Sequence, residues 1–433
     1  MNLLRRNTLF RRMLLSDAIS IIGDCIYYLA LMTYASQLPN SAQAIWWVSL
    51  SETLPGVLHL FLGVYADRVK RRTRLLLHTF TLRMICYLAV GVLIGYAPSM
   101  AMIAVIALLN FGSDLIGKLA SSLAVPLYVQ AVKDDELEEA NSWRSAIQRI
   151  VIVVSQFAGS FLILLFSFRT LAWLNSATFV AGGFLLLTVA KRLMKLEDAI
   201  PKKAHDENEV APRTSYWGDL RQSFRLLYQN KRMFFLVLQV TLINAALFPL
   251  NALFSMASAA TGAPLIRSFS FTLALFATLG SVGVILGNVV SAKWMKETSL
   301  MKIIGWNYAA VLGFCIGLWT GQLYLTLLMY LIACACVGAL SPKYGAMFAR
   351  EVDRRHLASI SGVSNTLGNI GGPLSQILIG GAASTLSLPA GAGALSLLVV
   401  IGFLYLLKGT FRQANQTTER EAVDKNPSCD GNP

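Results

Sequence analysis

The sequence predicts an all-α membrane protein of about 12 transmembrane helices arranged as two six-helix halves. Three observations carry this prediction. Apolar runs of spanning length recur along the chain, basic residues crowd into alternate connections, and one long polar interval divides the runs into six and six. Of 433 residues, 55% are hydrophobic and 14% charged, whereas a soluble domain carries about 25% charged residues. The formal charge of +14 would suit nucleic acid, but the Lys and Arg lie in short segments between apolar runs. That is topology information, and no nucleic-acid partner is expected.

The apolar runs lie at about residues 13–37, 42–64, 74–96, 100–122, 143–168 and 170–192, then 232–257, 268–292, 300–320, 322–342, 357–384 and 388–408. Each is near the ~20 residues that a spanning helix needs. The first is no signal peptide, being too long and interrupted by Asp24. The expected organisation is a first half at 1–192, a cytoplasmic linker at 193–231, a second half at 232–408 and a disordered tail at 409–433. Within the linker, 197–213 is charged and broken by proline. Beyond it, Trp217, Leu220, Phe224, Leu227 and Tyr228 share one face, which predicts an amphipathic helix lying on the membrane.

Orientation follows from the basic residues. Arg5, Arg6, Arg11 and Arg12 precede the first run, and Arg68, Lys70, Arg71, Arg72 and Arg74 join the second to the third. Lys293, Lys296 and Lys302 join the eighth to the ninth, and Lys343, Arg350, Arg354 and Arg355 the tenth to the eleventh. The opposite connections hold only Arg169 and Arg267. Both termini are therefore expected in the cytoplasm.

Asp24, Glu52, Arg83, Asp114, Lys118 and Arg149 fall inside runs of the first half, three acids against three bases. Each charge at the bilayer centre costs about 2.5–3.5 kcal/mol on insertion scales, so these residues must face protein or water and pair with one another. At 1.5 Å rise per residue, Asp24 and Glu52 lie roughly 15–16 Å deep. A carboxylate alternately dried and wetted changes its proton affinity, which is what proton coupling requires. Asp24 is the first candidate carrier, Glu52 the second, with Arg83, Asp114 and Arg149 as partners. Lys118, nearer the cytoplasmic end, is read as snorkelling to that face. The second half carries neutral polar residues instead. Gln239, Asn244, Asn251, Asn365 and Asn369 are the candidate substrate contacts, since such sites lie near the midplane between two halves.

The segment Gly63-Val-Tyr-Ala-Asp-Arg-Val-Lys-Arg-Arg72 resembles the loop signature between helices 2 and 3 of the major facilitator superfamily, with Gly63, Asp67, Arg68, Arg71 and Arg72 in the signature positions. Two further stretches are similar to bacterial macrolide-efflux and related drug exporters. One is Leu220-Arg-Gln-Ser-Phe-Arg-Leu-Leu-Tyr-Gln-Asn-Lys231 with Pro249-Leu-Asn-Ala-Leu-Phe254, and the other is Phe348-Ala-Arg-Glu-Val-Asp353 with Ser361-Gly-Val-Ser-Asn365. The resemblance implies a major facilitator fold in a bacterial inner membrane. It also implies a gate in which Asp67 contacts the start of helix 11, near Leu357. The chain departs from the antiporter pattern twice: Val154-Ser-Gln-Phe-Ala-Gly159 lacks the Gly-Pro of span 5, and Leu108-Leu-Asn110 stands where many members carry Arg. The matching loop of the second half, Gly287-Asn-Val-Val-Ser-Ala-Lys293, has lost its acid.

The leading expectation is a monomeric, proton-driven exporter of drugs or macrolide-like amphipathic compounds, with protons and a small molecule as partners. An exporter of a self-made metabolite such as a siderophore is the alternative, to be told apart by neighbouring biosynthetic genes. A membrane sensor or immunity protein on the same scaffold would not need the buried charges. An enzyme is not expected, because no Ser/His/Asp, metal-ligand or phosphate-loop constellation appears. Five of the six cysteines (Cys25, Cys86, Cys315, Cys334 and Cys336) sit in apolar runs, so no disulfide, metal or cofactor is expected. Reporter fusions at Asn208 and at the C-terminus should both register cytoplasm; a periplasmic signal from either would overturn the two-half organisation.

Overall fold

Several long helices begin where a side chain replaces the missing previous turn. Asn7, Ser99, Asn230 and Ser299 accept hydrogen bonds from the backbone N–H groups of Phe10, Met102, Met233 and Lys302 at 3.0–3.4 Å. Such caps are worth about 0.5–2 kcal/mol each. The computed structural model describes residues 2–96, 99–133, 136–199, 224–225, 227–293, 295, 297–351 and 357–424. Its helices are α1 (Asn2–Arg6), α2 (Thr8–Ser36), α3 (Ser41–Arg68), α4 (Arg72–Leu93), α5 (Met100–Ala131), α6 (Leu137–Leu165) and α7 (Phe168–Ala199). The second half has α8 (Lys231–Ala259), α9 (Phe269–Lys293), α10 (Leu300–Trp319), α11 (Leu323–Glu351), α12 (Leu357–Ser375), α13 (Gly381–Thr385) and α14 (Leu388–Asp424).

Among the described residues 10 helices are long and apolar enough to cross a membrane: α2, α4 to α11, and α14. The other two expected spans are present but atypical. α3 is diluted by Glu52, His59 and several serines. The run at 357–384 is broken, because a π-helical turn at Gln376–Gly380 separates α12 from α13. The predicted division between 320 and 322 is real, and Gly321 makes it with φ +66, a left-handed conformation that glycine adopts without strain.

The two halves repeat one packing scheme. α2 packs on α6 and α7, α3 on α5, and α4 on α5 and α7; in the second half α8 packs on α12 and α14, α9 on α11, and α10 on α11 and α14. Each pair in one half has its counterpart six spans later. The halves meet mainly through α6 with α9 and through α3 with α8 and α12.

Differences from the expected boundaries lie at the ends. The signature segment is mostly helix: α3 runs to Arg68 and α4 starts at Arg72, so only 69–71 form the turn. The final helix continues to Asp424, so the tail expected to be disordered from 409 is helical to that point, in keeping with its Arg, Gln, Ala and Glu content. Of the expected amphipathic helix, Trp217 and Leu220 lie outside the described residues, while 227–229 are helical. Leu227 is buried with Met233, Val237 and Val363, and Tyr228 packs edge-on to Phe234 at 5.2 Å.

α9 crosses α11 closely, backbone against backbone. A Cβ added to Gly287 would meet the Ala335 carbonyl, and one added to Gly338 the Val284 carbonyl. An added Cβ at Gly56 meets nothing within 4 Å. Gly287→Val should therefore lower stability by at least about 1–3 kcal/mol, the usual penalty of overpacking, while Gly56→Ala should be neutral. Thermal unfolding in detergent checks this, and a tolerated Gly287→Val would refute the close crossing.

Candidate functional site

Arg83 is the centre of the site. It lies on α4 and is 8% exposed. Its Nη2 donates to both Asp24 carboxylate oxygens, on α2, at 2.9 and 3.0 Å. The same nitrogen is 3.7 Å from Asp114 on α5, and Nε donates to Ser113 Oγ at 3.1 Å. The guanidinium lies over the Phe179 ring at 4.3 Å, and Phe179 is stacked in turn on Tyr87 at 5.5 Å. Gly117 also makes room, since a Cβ there would stand 3.2 Å from the guanidinium carbon.

Next to this pair lies a second knot around Asn110, which is 0% exposed. Its Nδ2 reaches Ser51 Oγ at 3.1 Å, Glu52 Oε1 at 3.2 Å and Asp114 Oδ2 at 3.2 Å. Its Oδ1 accepts from the Tyr87 hydroxyl at 3.2 Å. Nearer the basic end of the bundle, Tyr128 of α5 donates to Asp17 of α2 at 2.7 Å, and Arg144 of α6 covers the Tyr128 ring at 4.8 Å.

The charged members of these groups line a cavity of about 540 Å³, with Asn110, Ser113 and Tyr87 packed behind them. Its polar wall belongs to the first half, with Asp17, Asp24, Glu52, Asp114, Lys118 and Arg144 all contributing. The second half supplies Asn251, Leu273, Ala274 and Ala277, and Asn251 Nδ2 donates across the midline to the Tyr28 hydroxyl at 3.1 Å. The lining is offset toward the basic end, and toward the other end the two halves touch. There Trp46 Nε1 donates to the Gln376 carbonyl at 3.4 Å, and Phe157 meets Phe271 at 6.1 Å.

The sequence-predicted residues therefore separate. Asp24, Glu52, Arg83 and Asp114 come together, and Lys118 lines the cavity with them. Arg149 is exposed and does not line it; Arg144 does, on a face continued by Gln148, Ile152 and Gln156 at four-residue spacing. Of the neutral candidates whose side chains are described, only Asn251 reaches the cavity. Gln239 accepts from the Tyr308 hydroxyl at 2.7 Å, and Asn244 donates to the Gly368 carbonyl at 2.9 Å, so both tie helices of the second half together. Asn369 is exposed, and the Asn365 side chain lies outside the described residues.

In the signature segment Gly63 has open space around an added Cβ, and Arg68 and Arg71 are exposed. Arg72 Nε donates to the Ala66 carbonyl at 3.4 Å, closing the end of α3. The Asp67 side chain lies outside the described residues, and with it the expected contact to the start of α12. Asp17, Asn110 and Arg144 were missed by sequence reasoning. Asp17 precedes Asp24 by two helical turns and so shares its face, a signal that was available.

Solved structures with similar folds are transporters. A bacterial homologue of the iron transporter ferroportin in its inward-facing state aligns at TM-score 0.68 and 16% identity, over 92% of this chain and 98% of that one. The nucleoside transporter NupG aligns at TM-score 0.65 and 14% identity, over 93% and 98%. The peptide transporter POT aligns at 0.64 and 14%, over 92% and 94%. At these identities the likeness is one of fold alone. No curated protein matches the sequence. The sequence profile of the Major Facilitator Superfamily matches residues 13–376, and this multi-pass membrane transporter chain belongs to that family.

Proposed function

We propose that the protein is a proton-driven secondary transporter that exports amphipathic, drug- or macrolide-like compounds from the cytoplasm across a bacterial inner membrane. The observation that carries this reading is the ionisable cluster of Asp24, Glu52, Arg83 and Asp114 in the wall of a cavity that the second half closes with Asn251. A carrier needs a group that can exchange a proton within reach of the substrate space, and the cluster supplies three carboxylates there. The apolar part of the lining, including Met32, Phe179 and Leu273, suits an amphipathic molecule. Offset of the cavity toward the basic end corresponds to a state open to the cytoplasm, with Trp46 and the π-helical turn as the closed side. The signature residues Gly63, Asp67, Arg68, Arg71 and Arg72 are assigned to the gate on the cytoplasmic side.

Transport into inverted vesicles with an imposed pH gradient tests the reading. Concentrative uptake of a lipophilic drug should disappear with a protonophore; uptake insensitive to the gradient would refute proton coupling. Asp67→Asn should keep insertion and shift accessibility of engineered cysteines between the two faces, because it removes a helix-end contact worth roughly 0.3–2 kcal/mol. Unchanged accessibility would leave Asp67 without a gating role.

The cluster also makes a stability prediction. Arg83→Met leaves buried acids without their cation, and breaking such a pair costs about 3–5 kcal/mol. The double variant Arg83→Met with Asp24→Asn should recover much of that loss in thermal unfolding. Failure of the double variant to recover would mean that Arg83 is not the counter-ion of Asp24.

A further inference from the structure

We propose that one proton is held between the carboxyl groups of Glu52 and Asp114, positioned by Asn110, while Asp24 remains the fixed counter-ion of Arg83. This rests on the transport reading only for its consequence; the placement of the proton follows from counting hydrogens.

The Asn110 amide nitrogen has two hydrogens, and three oxygens stand within 3.1–3.2 Å of it: Ser51 Oγ, Glu52 Oε1 and Asp114 Oδ2. Ser51 cannot make up the deficit, because its own hydroxyl hydrogen is donated to the Val48 carbonyl at 2.7 Å. The Tyr87 hydroxyl is spent on Asn110 Oδ1. The knot is therefore one hydrogen short. Exchanging the oxygen and nitrogen of the Asn110 amide makes the shortage worse, since a carbonyl would then face both carboxyls. With the amide donating toward the acids, a hydrogen on one of the two carboxyls closes the count, and both carboxyls stand 3.2 Å from the same nitrogen.

Charge leads to the same place. Three carboxylates share one guanidinium, and Arg83 gives both of its short contacts to Asp24, with Asp114 at 3.7 Å. Lys118 of α5 lines the cavity and acts on Glu52 only at longer range, forming no ion pair among the described residues, and Arg144 of α6 is engaged near Asp17. The remaining titratable neighbours bring no cation. Cys25, Tyr27 and Tyr28 lie on α2, with the Tyr28 hydroxyl engaged by Asn251 and that of Tyr27 without a partner. His59 lines the cavity farther along α3. Two carboxylates drawn to one amide nitrogen in a membrane interior repel strongly if both are ionised, and a shared proton removes that repulsion.

Asn110 is then a positioning residue: it sets the distance between the two acids and ties them to Tyr87, which stacks on the ring beneath Arg83. Loss of the proton would leave two charges that separate or draw Arg83 away from Asp24, so protonation and the arrangement of α2, α3, α4 and α5 are coupled.

Infrared spectroscopy of the full chain in lipid nanodiscs tests this without any transport. At neutral pH the wild type should show a protonated-carboxyl band sensitive to deuterium exchange, and Glu52→Gln should remove it, as should Asp114→Asn. Asn110→Leu should keep the band at a shifted frequency and slow pH-driven transport at least tenfold, which a merely structural role would not produce. Sodium should leave the band unchanged. The proposal is overturned by a wild type without the band, by a band that survives in both single acid variants, or by one abolished by sodium, which would mark a metal-cation site. If the band behaves as expected but vesicles show no pH-driven flux, the proton site stands and the transport reading falls.

Discussion

The Arg83 guanidinium is the constraint around which the first half is organised. A cation in the middle of a bilayer survives only where anions, dipoles and aromatic faces replace its hydration, and this site supplies each from a different helix. Asp24 comes from α2, Ser113 and Asp114 from α5, and Phe179 from α7. Gly117 makes room beside it by lacking a Cβ. A charge that must satisfy several helices at once also fixes their relative rotation, because sliding any one of them by a turn would strand it. The pair contributes specificity of packing more than net stability, since desolvation offsets much of the Coulomb gain.

Among the described residues the second half has no such centre, and its helices are tied by different means. Gln239, Tyr308 and the Gly402 carbonyl form a neutral buried tie, and glycine contacts bring α9 against α11. Neutral hydrogen bonds and close backbone approach need no charge compensation, so the helices of this half are held together without buried ions. The shared packing scheme of the two halves thus carries two chemistries. The charged half holds the ion and most of the cavity's polar lining; the neutral half supplies Asn251 and an apolar surface.

Much of this was legible in the sequence, for a physical reason. In lipid every backbone group must be satisfied inside its own helix, so length and apolarity alone mark spans; buried charge is expensive enough that Asp24, Glu52, Arg83 and Asp114 stood out on their own. What stayed hidden was direction around the helix axis. Arg149 and Arg144 differ by five residues, more than a full turn, and only packing decides which of them meets the cavity. The polar stripe Arg144, Gln148 and Gln156, at multiples of four residues, holds that information. Gln239 and Asn244 failed as cavity residues for a similar reason: a buried amide serves a neighbouring carbonyl as readily as a ligand.

Asn110 occupies a position whose chemistry follows from the hydrogens it can donate. The resemblance marks its position as one where related antiporters carry Arg, and the absence of Arg looked like a missing part. In the fold, an Arg there would face Glu52 and Asp114 directly and would compete with Arg83 for the same acids. The chain instead places its cation one helix away, on α4, and leaves an amide between the two carboxyls. An amide can orient two acids without neutralising them, so the charge balance of the pair is left to a proton that can come and go. A fixed cation would have bound both acids in every state, and the chemical difference between the two arrangements is the difference between a structural salt bridge and a site able to cycle.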